Sequence, residues 1–354
     1  MRPLTPTRFA AVPPLFARGA AVACATGLAF ALHTGAASAQ EADRPVLTLY
    51  TYDSFVSDWG PGPLVEAAFE AECACDLELI GAGDGAALLA RLKMEGPRTE
   101  ADIVLGLDTN LTANAAATGL FAPHGMGDLA LDLPVAWDDP MFVPFDWGYF
   151  AFIYDNTELS DVPTSFEELA AAPEDLKIVI QDPRSSTPGL GLLMWVKAAY
   201  GERAPDIWEA LAPHVLTVTK GWSEAYGMFT EGEADMVLSY TTSPAYHLLV
   251  EQDETKSAAA FDEGHYVQVE VAGKIASTDQ PELADQFLQF MLTEAFQSVI
   301  FETNWMYPAV TPESGLPAGA ETLVQPERAL LLSADEAEAA RDDALDEWLT
   351  ALSR

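Results

Sequence analysis

Positive charge is scarce in this chain. Seventeen Lys and Arg stand against 55 Asp and Glu, a formal net charge of −38. Nucleic acid is excluded as a partner, because its phosphates would be repelled. Cysteine is scarcer still, with three residues. Two of them, Cys73 and Cys75 in ECACDLEL, have no second pair to complete a four-ligand zinc site. An oxidising compartment would allow a disulfide between them, although the closed loop is tiny and strained; the spacing leaves their redox state open. Of five histidines, His124, His214, His247 and His265 follow the N-terminal segment, and no spacing fixes one as a triad partner. Beyond that segment no run reaches the ~20 apolar residues of a membrane helix. Repeats and low-complexity tracts are also missing.

The first 39 residues read as an export signal. Arg2, Arg8 and Arg18 form a basic start, Gly19 to Leu32 an apolar core too short to span a bilayer, and Ala37 to Ala39 a small-x-small cleavage pattern. The competing reading is a buried N-terminal helix. The AVAC box at Cys24 suggests lipidation, but Arg18 leaves too little apolar length ahead of it. Cleavage before Gln40 leaves 354 − 39 = 315 residues with charge −38 − 3 = −41. That length builds one large or two medium domains. Such acidity either draws in a cationic ligand or keeps the surface solvated. Since ~0.15 M salt screens charges beyond ~8 Å, solvation is the preferred reading.

Residues 40 onward alternate short apolar runs with helical patterns, the mark of an α/β protein. VLTLYTY, DLELIGAG and ADIVLGLD read as strands, with helices in PLVEAAFEAE, GAALLARLKMEG and TNLTANAAATG. This series builds an open, mostly parallel sheet, whose ligands bind beyond the carboxyl ends of the strands. Tyr52, Asp53, Asp58, Asp84 and Asp108 fall at those ends. A plain turn would need only Gly, Pro, Asn and Ser. From about Pro144, VPFDWGYFAFIYDN is too aromatic for one ordinary strand and reads as a crossover into a second lobe. That lobe has strands in KIVIQDP, HVLTVTKG and DMVLSYT, and helices in TSFEELAAA, STPGLGLLMWVKAAYG, WSEAYGMFTEGE and SPAYHLLVEQ. HYVQVEVAGKI carries the chain back, and PELADQFLQFMLTEAFQSVIF and SADEAEAARDDALDEWLTALS are terminal helices. The expected division is 40–143 and 267–310 for one lobe, 144–266 for the other, and 311–354 as a helical tail packing on both. Two lobes joined by two crossing strands form a cleft.

Several strand ends carry more than turn chemistry. Ser186, Thr187 and Pro188 open a helix whose free N–H groups suit an anion; the plainer reading is a cap and tight turn. No Gly-Lys-Ser/Thr follows, so this is not a Walker loop. Trp222 and Tyr226 share a helix face, for a ligand or for the core. Gly-Trp-Ser-Glu-Ala is not a nucleophile elbow, because Ala225 replaces the second Gly. LSYTTSPAYH groups the hydroxyls of Tyr240, Thr241, Thr242, Ser243 and Tyr246, without the neighbouring tyrosine pair common at ferric sites. NWMYP adds Trp305 and Tyr307 on a loop, outside any periodic pattern.

Taken together, YTYDSFVSDWGPGP, EADIVLGLD, FVPFDWGYFAF, QDPRSSTPGLGLL, VTKGWSEAYG, LSYTTSPAYH and NWMYP resemble one family, the periplasmic thiamine-binding proteins of bacterial ABC importers. The match runs from about Val46 to Tyr307 and more weakly beyond; the tail past Pro308 and the acidity are less typical. The resemblance implies a two-lobed type II periplasmic binding protein fold, with mostly parallel sheets and two crossing hinge strands. It implies a non-catalytic carrier with no cofactor, delivering thiamine or a thiamine phosphate to a permease and its ATPase; a monomer is expected, although the residues themselves leave the oligomeric state open. Ligand positions would be Asp84, Gly85, Ser186, Thr187, Trp222, Tyr240, Thr241, Thr242, Ser243, Tyr246 and Trp305, with Tyr52 and Trp59 as cleft neighbours. Trp222, Tyr246 and Trp305 would stack on the cationic vitamin, Asp84 would meet its amine or its charge, and Ser186-Thr187 would take the hydroxyl or its phosphate. A thiamine-degrading enzyme of the thiaminase I type would need a cleft cysteine, but Cys73 and Cys75 precede their strand. The other alternative is a related polyamine or ferric-iron binder.

Overall fold

The computed structural model describes residues 44–353. The expected export signal, its cleavage point near Ala39 and Cys24 lie outside the described residues. Three strand–helix units come first: β1 (Val46–Thr51), α1 (Gly62–Cys73), β2 (Asp76–Gly81), α2 (Gly85–Glu95), β3 (Ile103–Asp108) and α3 (Thr112–Ala117). β1 pairs in parallel with β2 and β3, so all three strands end on one edge. β3 is buried along its whole length, as a run of Ile, Val and Leu in a sheet covered on both faces should be.

The chain continues through β4 (Phe121–Ala122) into the long β5 (Phe142–Asp155). Next come α4 (Phe166–Ala170), β6 (Ile178–Gln181), α5 (Thr187–Tyr200), α6 (Ala204–Leu211), β7 (Val215–Thr219), α7 (Trp222–Thr230) and β8 (Met236–Tyr240). One α turn, α8 (Pro244–Tyr246), runs into a π-helical turn over His247–Glu251 and then β9 (Lys256–Ala258). β10 (His265–Ile275) leads to α9 (Pro281–Phe290), α10 (Glu294–Thr303), β11 (Tyr307–Pro308), β12 (Ala329–Leu330) and α11 (Ala334–Leu352).

The strand order is β2-β1-β3-β10-β5-β8-β6-β7. β5 explains its own aromatic excess. Phe142 to Tyr149 pairs antiparallel with β10, and Phe150 to Tyr154 pairs antiparallel with β8. One strand therefore serves both halves of the α/β fold, and Phe142, Phe145, Phe150 and Phe152 are fully buried along it. The lobe boundaries expected at 143/144 and 266/267 fall inside β5 and β10.

Two local readings needed correction. PELADQFLQFMLTEAFQSVIF is two helices, because Thr293 turns extended (φ −89°, ψ 161°) and its hydroxyl donates to the Phe290 carbonyl. An unbroken apolar period hides such a break. Residues 204–211, unassigned from the pattern, form α6 with Ile207, Trp208 and Leu211 buried. Cys73 and Cys75 are joined as a disulfide at the amino end of β2.

α11 ties the halves together. Ser333 and Glu336 form a capping box at its start. Arg341 then donates to the Asn110 carbonyl beside α3 (3.1 Å), while Lys197 of α5 pairs with Glu347 (2.7 Å). Trp348 is buried in the same cluster as Trp195 and Trp208. Trp348→Ala should therefore destabilise the protein by about 3–5 kcal/mol, read as a lower urea midpoint. An unchanged midpoint would mean that the helix only rests on the surface.

Candidate functional site

The carboxyl ends of β1 and β2 face the start of α5 and the end of β8 across an open cavity. Tyr52, Trp59, Asp84, Gly85, Thr187, Trp222, Tyr240, Ser243 and Trp305 line it, from both halves of the fold. Four expected residues stand off the wall. Ser186 is fully buried behind Asp84, and Tyr246 meets the Trp305 ring edge-on at 5.3 Å. Thr241 and Thr242 are fully buried, their hydroxyls without partners among the described residues.

Asp84 occupies the N-cap position of α2, yet its side chain makes no cap hydrogen bond there. It reaches across the cleft instead. Its Oδ2 accepts from Ser186 Oγ (2.7 Å) and from the Trp222 backbone N–H (3.1 Å). The starts of α5 and α7 thus converge on one carboxyl, a favourable place for negative charge. Burial raises the Asp84 pKa above its usual value, and the two donors oppose that shift. Beside it, the Gly85 N–H donates to Thr187 Oγ1 (3.0 Å). Gly85 is required by this approach: a Cβ would lie 2.4 Å from the Gly106 carbonyl oxygen and 2.4 Å from Thr187 Oγ1.

The aromatic walls are held from behind. Trp222 stacks on Tyr226 (5.0 Å between centroids) and donates its indole N–H to Ser239 Oγ (2.8 Å). Trp59, half exposed at the mouth, lies 6.4 Å from Trp222. Tyr240 stacks on Phe150 and donates to Gln268 Oε1. Trp305 adopts φ +57°, a left-handed backbone that a bulky residue rarely takes, with Asn304 and Met306 on either side in the wall.

Pattern reading missed Ser54, Glu270, Asn304 and Met306, all on the wall, while Pro188, read as part of the helix start, lines it as well. Glu270 matters most. It pairs in register with Asp146, and Tyr52 Oη donates to its Oε2 (3.0 Å). Asn304 Nδ2 donates to Tyr52 Oη (2.8 Å) and to Asp146 Oδ2 (2.5 Å). Burial drives both carboxyl pKa values up, and the charge of Asp146 pushes Glu270 further. Burial and the Glu270 charge also raise the Tyr52 and Tyr240 phenols well above their usual range. In VQVEVAG, alternation puts Gln268 and Glu270 on one face but does not say whether that face meets solvent or other elements. Asp146, an acid inside the aromatic run FVPFDWG, was the available signal. Among the described residues lining the cavity, none is basic. The site can therefore clasp a flat, positively charged molecule between rings and carboxyls.

Comparison with known proteins identifies the family. The family described as "Bacterial extracellular solute-binding protein" matches residues 62–298. The Thiamine-binding periplasmic protein of Escherichia coli (strain K12) is 53% identical over 311 residues, covering 88% of this chain and 94% of that protein. Its namesake from Brucella melitensis biotype 1 is 51% identical over 325 residues, covering 92% and 97%. A solved structure titled "Periplasmic thiamin binding protein" superposes with a TM-score of 0.86 at 53% identity, covering 88% of this chain and 97% of that one. Iron-bound HitA from Pseudomonas aeruginosa, at 22% identity and a TM-score of 0.67, shares the fold.

The close approach of Gly85 to Thr187 makes a specific demand. Gly85→Ala should force the two halves apart, giving a larger radius of gyration by small-angle scattering. A curve identical to the parent would show that the cleft absorbs the methyl group without opening.

Proposed function

As the chain belongs to the bacterial extracellular solute-binding protein family, among its thiamine-binding periplasmic members, we propose that it receives thiamine in the cleft and carries it to an ABC importer. It is a binding protein, not an enzyme. The observation that carries this reading is the wall itself: Trp222, Trp305, Tyr52 and Tyr240 beside Asp84 and Glu270, from both halves, with no basic residue among them. Thiamine joins a neutral aminopyrimidine to a permanently cationic thiazolium. Indole faces attract such a cation by about 2 kcal/mol once water is removed, and Asp84 is placed for the amine or the charge. The start of α5 at Thr187-Pro188 takes the hydroxyethyl arm or its phosphate.

Export by a cleavable signal ending near Ala39, a monomeric state, and docking onto a permease driven by an ATPase complete the proposal. Among the described residues no helix is long and apolar enough to cross a membrane. A thiaminase-like reaction has no support here, because the described cysteines are bound to each other at the amino end of β2, away from the cavity wall.

Calorimetry with thiamine tests the reading. Tight binding is expected, undisturbed by excess polyamine or ferric iron, and weakened roughly ten- to thirtyfold in Trp222→Ala and in Trp305→Ala. No heat and no thermal shift with thiamine would overturn it.

A further inference from the structure

We propose that Glu270, backed by Asp146, selects the positively charged ring of the ligand by exchanging a proton for it: the empty cleft holds a proton between the two carboxyls, and the bound cation displaces that proton to solvent. The inference rests on the thiamine reading and adds a residue and a linkage to it.

The two side chains are register partners on β10 and β5. Glu270 is 7% exposed overall and belongs to the cavity wall; Asp146 is fully buried behind it. Asp146 Oδ2 accepts from Asn304, but its Oδ1 is buried with no partner among the described residues. A buried carboxyl oxygen seldom goes without a donor. A protonated Glu270 supplies one, and that hydrogen bond raises the Glu270 pKa while lowering that of Asp146. The surrounding groups cannot neutralise the pair. Tyr52 faces it after β1, Asp108 from the end of β3 and Tyr240 from the end of β8; these are acids and phenols. Asp84 acts in turn on Tyr240, and Arg341 of α11 acts on Asp108. Two like charges side by side in such surroundings cannot both ionise until a cation arrives. The thiazolium is that cation. Once it lies against Glu270, the proton leaves to water and a carboxylate faces the ring.

The test is calorimetry of the full protein with thiamine near pH 7, in buffers of different ionisation enthalpy. The parent should release close to one proton per thiamine, with affinity rising by up to about tenfold per pH unit below the titration of the pair. A thiamine isostere with an uncharged ring in place of the thiazolium should release none. Glu270→Gln should bind thiamine roughly ten- to a hundredfold more weakly without proton release, while holding the uncharged isostere as the parent does. Asp146→Asn keeps the Glu270 carboxyl and replaces its acidic neighbour, so it should flatten the pH profile and abolish the proton release. This second variant keeps the test open if Glu270→Gln unfolds, which a thermal melt would reveal. Thiamine heat that is independent of buffer would overturn the proton exchange alone. So would undiminished proton release in a folded Glu270→Gln. No heat from thiamine at all would instead overturn the receptor reading on which the proposal stands.

Discussion

One carboxyl oxygen joins the two halves of this molecule. Asp84 Oδ2 receives the Ser186 hydroxyl and the Trp222 N–H from the opposite side of the cleft. The donors sit at the starts of α5 and α7, so two helix dipoles point toward the same negative group. Gly85 follows at once and brings the two backbones close enough for its N–H to reach Thr187. Both residues line the cavity. Trp222 is held with its ring 6.4 Å from that of Trp59, and Tyr52 after β1 and Tyr240 at the end of β8 line the same cavity.

Burying carboxyls is costly unless they are paired or hydrogen-bonded. This protein concentrates that cost in its cleft. Asp84 is relieved by its donors, whereas Asp146 and Glu270 face other acids and phenols. An interior arranged in this way is poorly compensated when empty and complementary to a flat cation. The overall charge of −38 contributes little by comparison, since salt screens distant surface charges. Recognition depends on a few acids within reach of the ligand.

Much of this was legible beforehand because strand ends expose chemistry that packing does not explain. Tyr52, Asp84, Thr187, Trp222 and Trp305 were each too polar or too aromatic for their turn, and the fold brings all five to one wall. Glu270 escaped because alternation along β10 cannot tell a solvent face from a face covered by other elements. Thr241 and Thr242 were grouped with Ser243 by adjacency, but the turn after β8 sends only Ser243 to the wall. α6 was missed, and the break between α9 and α10 hinges on the backbone of Thr293.

The residue pattern alone determined the alternation of strands and helices, the reuse of a long aromatic strand, and the family motifs with their spacing, because all of these are written in local periodicity. Only the tertiary structure decided which acids face each other, since β5 and β10 lie more than a hundred residues apart in sequence and become neighbours by pairing. It also decided that Asp84 abandons its own helix for the opposite side of the cleft. A side chain's partners depend on what lies across space from it, and local pattern carries no record of that.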